Sequence, residues 1–197
     1  MAQAHYDNIA SWYESVMRPL ERWFLNRLRE KALSSIPEDA LTLEVGAGTG
    51  LNFNHYASEA RGVASELSFE MLRIAAGKHR PQNVSLVQND AEKLPFGDDT
   101  FDAVFSTLVL CSVESPENAL AEMRRVVRPG GRVVLLEHVR PAGALGILFD
   151  LLNLITVPLF CDHVNRQTAE LARAAGFRSV NENRSKLGII NLINCAN

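Results

Sequence analysis

Between residues 41 and 139, short apolar runs alternate with helical segments, and that alternation leaves few folds open. The runs fall at 41–45, 61–65, 84–88, 101–110 and 132–139. Helical periodicity appears between them, at 68–78 (Met71, Leu72, Ala75) and at 116–127 (Leu120, Met123, Val127). Strands joined through helices are parallel neighbours, and such a sheet is covered on both faces. A further helix at 168–175 ends at Gly176. Two last strands, 177–183 and 187–195, suit an antiparallel edge on the same sheet. The fold class expected is α/β.

Ahead of this core, residues 11–33 read as two helical pieces interrupted near Pro19. Leu20, Trp23, Phe24 and Leu28 form an apolar stripe on the second piece, with Glu21, Arg22, Arg27, Arg29 and Lys31 on its other positions. Ser35, Pro37 and Asp39 mark a turn. With 197 residues the chain fits one domain. Its parts are an N-terminal helical lid (1–36), a core (41–139), and substrate-side helices with closing strands (140–197).

The formal net charge is -3 and no basic run occurs, so a nucleic-acid partner is not expected. Cys111, Cys161 and Cys195 are odd in number and lack C-x-x-C spacing, so neither a disulfide framework nor a metal site is expected. A reduced, cytoplasmic setting follows, and the polar residues 1–8 lack the apolar core of a secretory signal. Residues 144–161 are almost wholly apolar, but Asp150, Asn153 and Pro158 argue against a membrane span. A buried or lid helix is expected there, with peripheral membrane contact as the alternative.

The first run leads directly into Glu44-Val-Gly46-Ala-Gly48-Thr-Gly50. Glycine at every second position lets the backbone turn sharply and lets a ligand approach the main chain. Dinucleotide sites use G-x-G-x-x-G, and here the third glycine of that pattern would fall at Leu51 or Phe53. Glu44, at the strand end, would repel a pyrophosphate but suits a ligand bearing an ammonium and a sulfonium. The second strand ends near Glu66, placed to accept hydrogen bonds from two ribose hydroxyls. The third ends at Asn89-Asp90-Ala91-Glu92, where Asp90 suits an adenine amino group and Ala91 offers its N–H. S-adenosylmethionine (SAM) fits all of these groups.

The segments E-V-G-A-G-T-G, N-D-A-E-K-L-P-F, F-D-A-V-F-S-T and V-V-R-P-G-G-R-V-V-L-L-E-H resemble the successive motifs of class I SAM-dependent methyltransferases of the ubiquinone/menaquinone-biosynthesis type. T-L-V-L-C-S-V at 107–113, L-E-H-V at 136–139 and F-C-D-H-V-N-R-Q-T at 160–168 are similar to the thiol methyltransferase-like group. The opening H-Y-D-N-I-A-S-W-Y resembles bacterial phosphatidylethanolamine N-methyltransferases. The resemblance implies a Rossmann-like, seven-stranded sheet of order 3-2-1-4-5-7-6. It implies that Gly46, Ala47, Gly48 and Gly50 cradle the methionine part of SAM, with Asn52 and Glu44 at the same loop. Glu66 would hold the ribose; Asp90, Ala91 and Glu92 would meet the adenine; Leu67 and Met71 would line the adenosine pocket; and Thr107 and Leu108 would follow strand 4 beside the methionine moiety.

Methyl transfer from a sulfonium needs alignment and exclusion of water more than it needs a base. Tyr6, Trp12 and Tyr13 would sit on the segment that covers the cofactor, where they either touch ligand or pack on the sheet. His138, Asp162, His163 and Tyr13 are the catalytic candidates; Asp162 and Asn165 could instead cap the following helix. The leading expectation is methyl transfer to sulfur or nitrogen of a small apolar or lipid-like acceptor, with S-adenosylhomocysteine (SAH) as product. Alternatives are a membrane-surface phosphatidylethanolamine N-methyltransferase, a non-catalytic SAM-binding module and, less favoured, a nicotinamide dehydrogenase.

Overall fold

The computed structural model describes residues 2–160, 163–185 and 188–197. Its strands are β1 (Leu41–Val45), β2 (Arg61–Glu66), β3 (Val84–Gln88), β4 (Phe101–Thr107), β5 (Val127–His138), β6 (Ser179–Arg184) and β7 (Ile190–Ala196). They form one sheet of order β3-β2-β1-β4-β5-β7-β6. β7 runs antiparallel to β5 and β6, and the pairs from β3 to β5 are parallel. This is the expected topology. The order reverses between β1 and β4, and a reversal opens a crevice at the carboxyl ends of the strands.

Side chains alternate across the central strands and feed two cores. On one face Leu43, Val104, Val133 and Leu135 pack with Leu120, Met123 and Val126 of α4 (Pro116–Val126) and Ala172 of α6 (Thr168–Ala174). On the other, Phe105, Val134 and Leu136 meet Leu25, Ala32 and Leu33 of the N-terminal helices. Caps set the helix starts. Ser68 Oγ accepts the Met71 N–H before α3 (Phe69–Ala76), and Ser115 Oγ accepts that of Asn118 before α4.

The N-terminal segment corrects the sequence reading. α1 (Ala2–Leu20) contains Pro19 instead of stopping before it, then passes through a π-helical turn, Glu21–Leu25, into α2 (Asn26–Leu33). A π turn holds one extra residue, which rotates the following face by about 100°. Three of the four stripe residues face outward, Trp23 at 84% exposure with Leu20 and Phe24 exposed too, while Leu28 packs against the core. Leu25, Arg29, Ala32 and Leu33 are buried instead, with Arg29 only 4% exposed.

Other boundaries move for local reasons. β4 stops at Thr107, short of residue 110, because Leu108 has φ +59° and leaves the extended region. β5 begins at Val127, earlier than expected, and its pairing with β4 shifts register between Phe101 and Ala103. α5 (Ala144–Phe160) continues through Pro158 instead of breaking there.

α5 is amphipathic in reverse. Its polar residues face the body: Asp150 pairs with Arg140 at 2.7 Å and accepts from Asn165, and Asn153 Oδ1 accepts the Val164 N–H. Ile147, Leu148, Leu151, Leu154 and Ile155 face solvent. Of the two forms expected, buried or lid, the exposure of these side chains excludes the buried one. Among the described residues, no helix is long and apolar enough to cross a membrane.

Candidate cofactor and active site

The carboxyl ends of β1, β2, β3 and β4 surround a cavity of about 330 Å³. It forms where β1 turns at the glycine loop. The Gly46 and Ala47 N–H groups both donate to Ser65 O at 2.8 Å, which fastens the loop to β2. Gly46, Gly48 and Gly50 all have positive φ, the region that favours glycine. Their reasons differ. A Cβ on Gly46 would lie 2.3 Å from Val109, whereas one on Gly48 would meet nothing within 4 Å. Gly48 thus bares its main chain to open space on the cavity rim, a cradle that a side chain would fill.

Glu66 closes one side. Its Oε2 accepts the Gly48 N–H at 2.8 Å and its Oε1 accepts the Ser68 N–H at 2.9 Å. Each carboxylate oxygen keeps a further lone pair for hydroxyl donors. Burial raises the Glu66 carboxyl above its ordinary range, against the lowering effect of the Ser68, Gly48 and Leu67 N–H groups. Asn89 follows from β3, its N–H donating to Glu66 O at 3.0 Å. Asp90 Oδ1 accepts the Glu92 N–H at 2.9 Å, and Glu92 in turn accepts that of Ser115. Leu67, Met71 and Ala91 give the lining its apolar faces.

Of the residues expected to touch cofactor, Tyr13, Gly46, Ala47, Gly48, Glu66, Leu67, Met71, Asp90, Ala91, Glu92, Thr107 and Leu108 line this one cavity. Leu108 does so with positive φ, a strained conformation for a branched side chain.

Glu44, Gly50 and Asn52 are not in the lining. Gly50 is the residue before a 3₁₀ turn, Leu51–His55, and backs onto Phe53. Glu44 is fully buried behind the loop, contrary to its expected place beside the ligand. Its carboxylate accepts from Asn52 Nδ2 at 2.5 Å and from the Tyr56 hydroxyl. Burial raises the Glu44 carboxyl, with Tyr56, Asn52 and Arg29 opposing. Its position at the last turn of β1 makes it an internal brace for the loop, since both oxygens are engaged by protein donors.

The catalytic candidates separate. Tyr13 is at the cavity. His138 ends β5 opposite Ile190, and His163 donates its N–H to Cys111 O at 2.8 Å; neither is in the lining. Asp162 lies outside the described residues. Asn165 and Arg166 tie loops together: Asn165 donates to Asp150, and Arg166 donates to Leu110 O and Val113 O.

α1 lies across the opening. Tyr6 shares a 2.7 Å hydrogen bond with Ser112, and Asp7 Oδ1 accepts from Ser68 Oγ and the Glu70 N–H. Glu14 pairs with Lys78 of the loop after α3. Trp12 is exposed and absent from the lining. Ser112 and Val113, the end of the motif at 107–113, line the cavity without having been expected there, and Glu114 and Arg29 line it with no signal in the sequence. Arg29 sits in a run of helix-surface charges and only the π turn brings it inward.

This sheet order, with a glycine-loop cavity at the switch point, is that of the Rossmann-like class I methyltransferase fold. Residues 43–135 match the family model described as Methyltransferase domain. The chain is 36% identical over 143 residues to a demethylmenaquinone methyltransferase of Renibacterium salmoninarum, covering 70% of this chain and 59% of that one. It is 32% identical to a ubiquinone/menaquinone biosynthesis C-methyltransferase of Idiomarina loihiensis, covering 78% of this chain and 65% of that one. The chain thus spans less than two thirds of either relative. In fold it resembles a SAM-dependent methyltransferase of Thermotoga maritima (TM-score 0.75, 21% identity, 100% and 99% coverage). It also resembles phosphoethanolamine N-methyltransferase 2 of Haemonchus contortus, solved with phosphomonomethylethanolamine and SAH (TM-score 0.78, 17% identity, 100% and 60% coverage).

Proposed function

We propose that the chain transfers the methyl group of SAM to sulfur or nitrogen of a small apolar or lipid-like acceptor. The observation that carries this is the bond between Gly48 N–H and Glu66 on the rim of one cavity that also holds Asp90, Ala91 and Thr107. The donor set fits the cofactor. Glu66 would offer two oxygens to ribose hydroxyls, Asp90 and the Ala91 N–H would meet the adenine edge, and Leu67 with Met71 would flank the ring. The bare main chain at Gly48 admits the amino-acid arm.

When bound, the sulfonium supplies an activated methyl group and its own leaving group. The residues of this chain then align and enclose. Tyr6 and Tyr13 of α1 act as the lid that keeps water from the reacting atoms, consistent with the Tyr6–Ser112 bond. Among the described residues no histidine lines the cavity. That favours an acceptor able to react without a strong base, and a thiol is partly ionised near neutrality.

The relatives named for menaquinone biosynthesis suggest a quinol for the same pocket. A second reading, a membrane-surface enzyme drawing a phospholipid amine from a bilayer, is favoured by the outward apolar face of α5. Incubation with SAM and a panel of alkyl thiols, quinols and phosphatidylethanolamine, read as SAH formed, tests the proposal. Product with thiols or amines is expected. Turnover confined to quinols would replace the acceptor, and tight SAM binding without any product would make the chain a binding module.

A further inference from the structure

Resting on the SAM-site reading above, we infer that Arg29 reads the carboxylate of the cofactor's amino-acid arm. Among the described residues the cavity lining carries four acids, Glu66, Asp90, Glu92 and Glu114, and one cation, Arg29. A zwitterionic amino-acid group attached to a nucleoside brings one carboxylate. In a lining dominated by acids, that carboxylate finds one side chain of opposite charge.

The position suits the role. Arg29 Nη1 donates to Thr107 Oγ1 at 2.6 Å and to Asn52 Oδ1 at 3.0 Å. Thr107 closes β4, and Asn52 hangs from the turn after the glycine loop and donates to Glu44. The guanidinium therefore stands where β1 and β4 part, at the far side of the loop from Asp90 and Ala91.

The donors can be counted. A guanidinium has five N–H groups. Nε and one Nη2 hydrogen serve Glu21, and the two Nη1 hydrogens serve Asn52 and Thr107. One Nη2 hydrogen remains. Thr107 Oγ1 accepts from both Arg29 and Asn52, so its own proton is left to donate, and Thr107 lines the same cavity. Two donors on adjoining side chains are what a carboxylate takes.

Glu21 holds the guanidinium in place, at 2.7 Å with both side chains largely buried. A purely structural pair of this kind gains little over apolar packing, because both charges lose water. The π turn that swings Arg29 inward displaces it from the exposed helix surface and delivers its charge to the cofactor end of the sheet.

The test compares two ligands in two proteins by calorimetry. SAH and S-adenosyl-3-thiopropylamine differ only by the carboxylate. Wild type is expected to bind SAH about 10- to 100-fold more tightly, the range for a charge-assisted hydrogen bond. Arg29→Met is expected to bind both alike, at the weaker value, while Glu21→Gln keeps the preference. Equal affinities in the wild type overturn the inference without need of any variant, which covers the case in which Arg29→Met does not fold. A preference that survives in Arg29→Met, or equal loss of both ligands, also overturns it and marks Arg29 as a structural brace. If wild type binds neither ligand, the SAM-site reading itself fails.

Discussion

Glu66 Oε2 accepts the Gly48 N–H at 2.8 Å, which ties the end of β2 to the glycine loop. The bond orients the carboxylate along the cavity rim before any ligand arrives. Glu66→Ala removes this acceptor and the ribose partner together. SAH affinity is expected to fall about 100-fold, from loss of two hydrogen bonds to a charged group at about 1.5–3 kcal/mol each with partial compensation. Stability is expected to fall by about 1 kcal/mol, because water can reach the two released N–H groups. Calorimetric titration of SAH checks the first, and urea denaturation checks the second. Unchanged affinity would remove the main support for a nucleoside site.

The pH dependence has opposite signs for fold and ligand. Burial raises both Glu44 and Glu66 despite the donors that oppose it. An acid raised by folding stabilises the fold in its protonated form. That contribution is complete below the unfolded-state value and is lost as pH rises through the folded-state value. These two groups therefore favour the unliganded fold as pH drops through that window. Ribose hydroxyls need the ionised Glu66 as acceptor, so SAH binding weakens across the same window, starting above the ordinary carboxylate value of about 4.3. The thermal stabilisation by SAH is expected to shrink as pH falls from neutrality toward the ordinary carboxylate value of about 4.3, and Glu66→Gln to show a flat profile. Scanning fluorimetry across that range decides; a wild-type increment indifferent to pH excludes titration of Glu66 at the site.

Gly46 and Gly48 make a contrasting pair. Both sit at positive φ, +73° and +56°, where alanine is strained by about 1–2 kcal/mol. Gly46→Ala adds a Cβ at 2.3 Å from Val109, a clash that costs about 1–3 kcal/mol more. Gly48→Ala adds a Cβ to open space. The first variant is expected to lose mainly stability and the second mainly SAH affinity, by at least about 10-fold. Thermal melts paired with titrations separate them. Gly48→Ala binding SAH as wild type does would mean that no ligand approaches that main chain.

The sheet was legible because its strands are short apolar runs punctuated by glycines and helix caps, signals that depend on near neighbours in sequence. β1 and β3 occupy the expected residues, and β2 differs from expectation only by Glu66. The site was legible for a related reason: Glu66 ends β2, Gly48 and Asp90 closely follow the ends of β1 and β3, and parallel topology alone brings those ends to one edge. Arg29 was not legible. Its inward turn depends on a π turn at Glu21–Leu25 that no residue type announces, and on partners, Asn52 and Thr107, distant in sequence. Glu44 was misplaced because strand position predicts the end of a strand but not which donors seize a carboxylate there; Asn52 and Tyr56 do so. The outward face of α5 escaped for want of any local cue, since an apolar run reads as buried unless its few polar residues have partners in the body.

That outward face is suited to a bilayer surface. Ile147, Leu151 and Leu154 are 61%, 58% and 72% exposed, on a helix whose acid is already paired with Arg140. Trp23, Arg18 and Arg22 are exposed on the N-terminal helices, an apolar and basic complement suited to an anionic bilayer. Replacing Ile147, Leu151 and Leu154 by Gln removes apolar surface without breaking an internal contact, so each change should alter stability by no more than about 0.5 kcal/mol. Co-sedimentation with anionic phosphatidylglycerol vesicles is expected to recover wild type in the pellet and leave the triple variant in the supernatant. Turnover of a soluble short-chain thiol should be unaffected if the face serves the bilayer, and reduced if the same residues form the wall of the acceptor site. Wild type remaining in the supernatant dismisses the membrane reading.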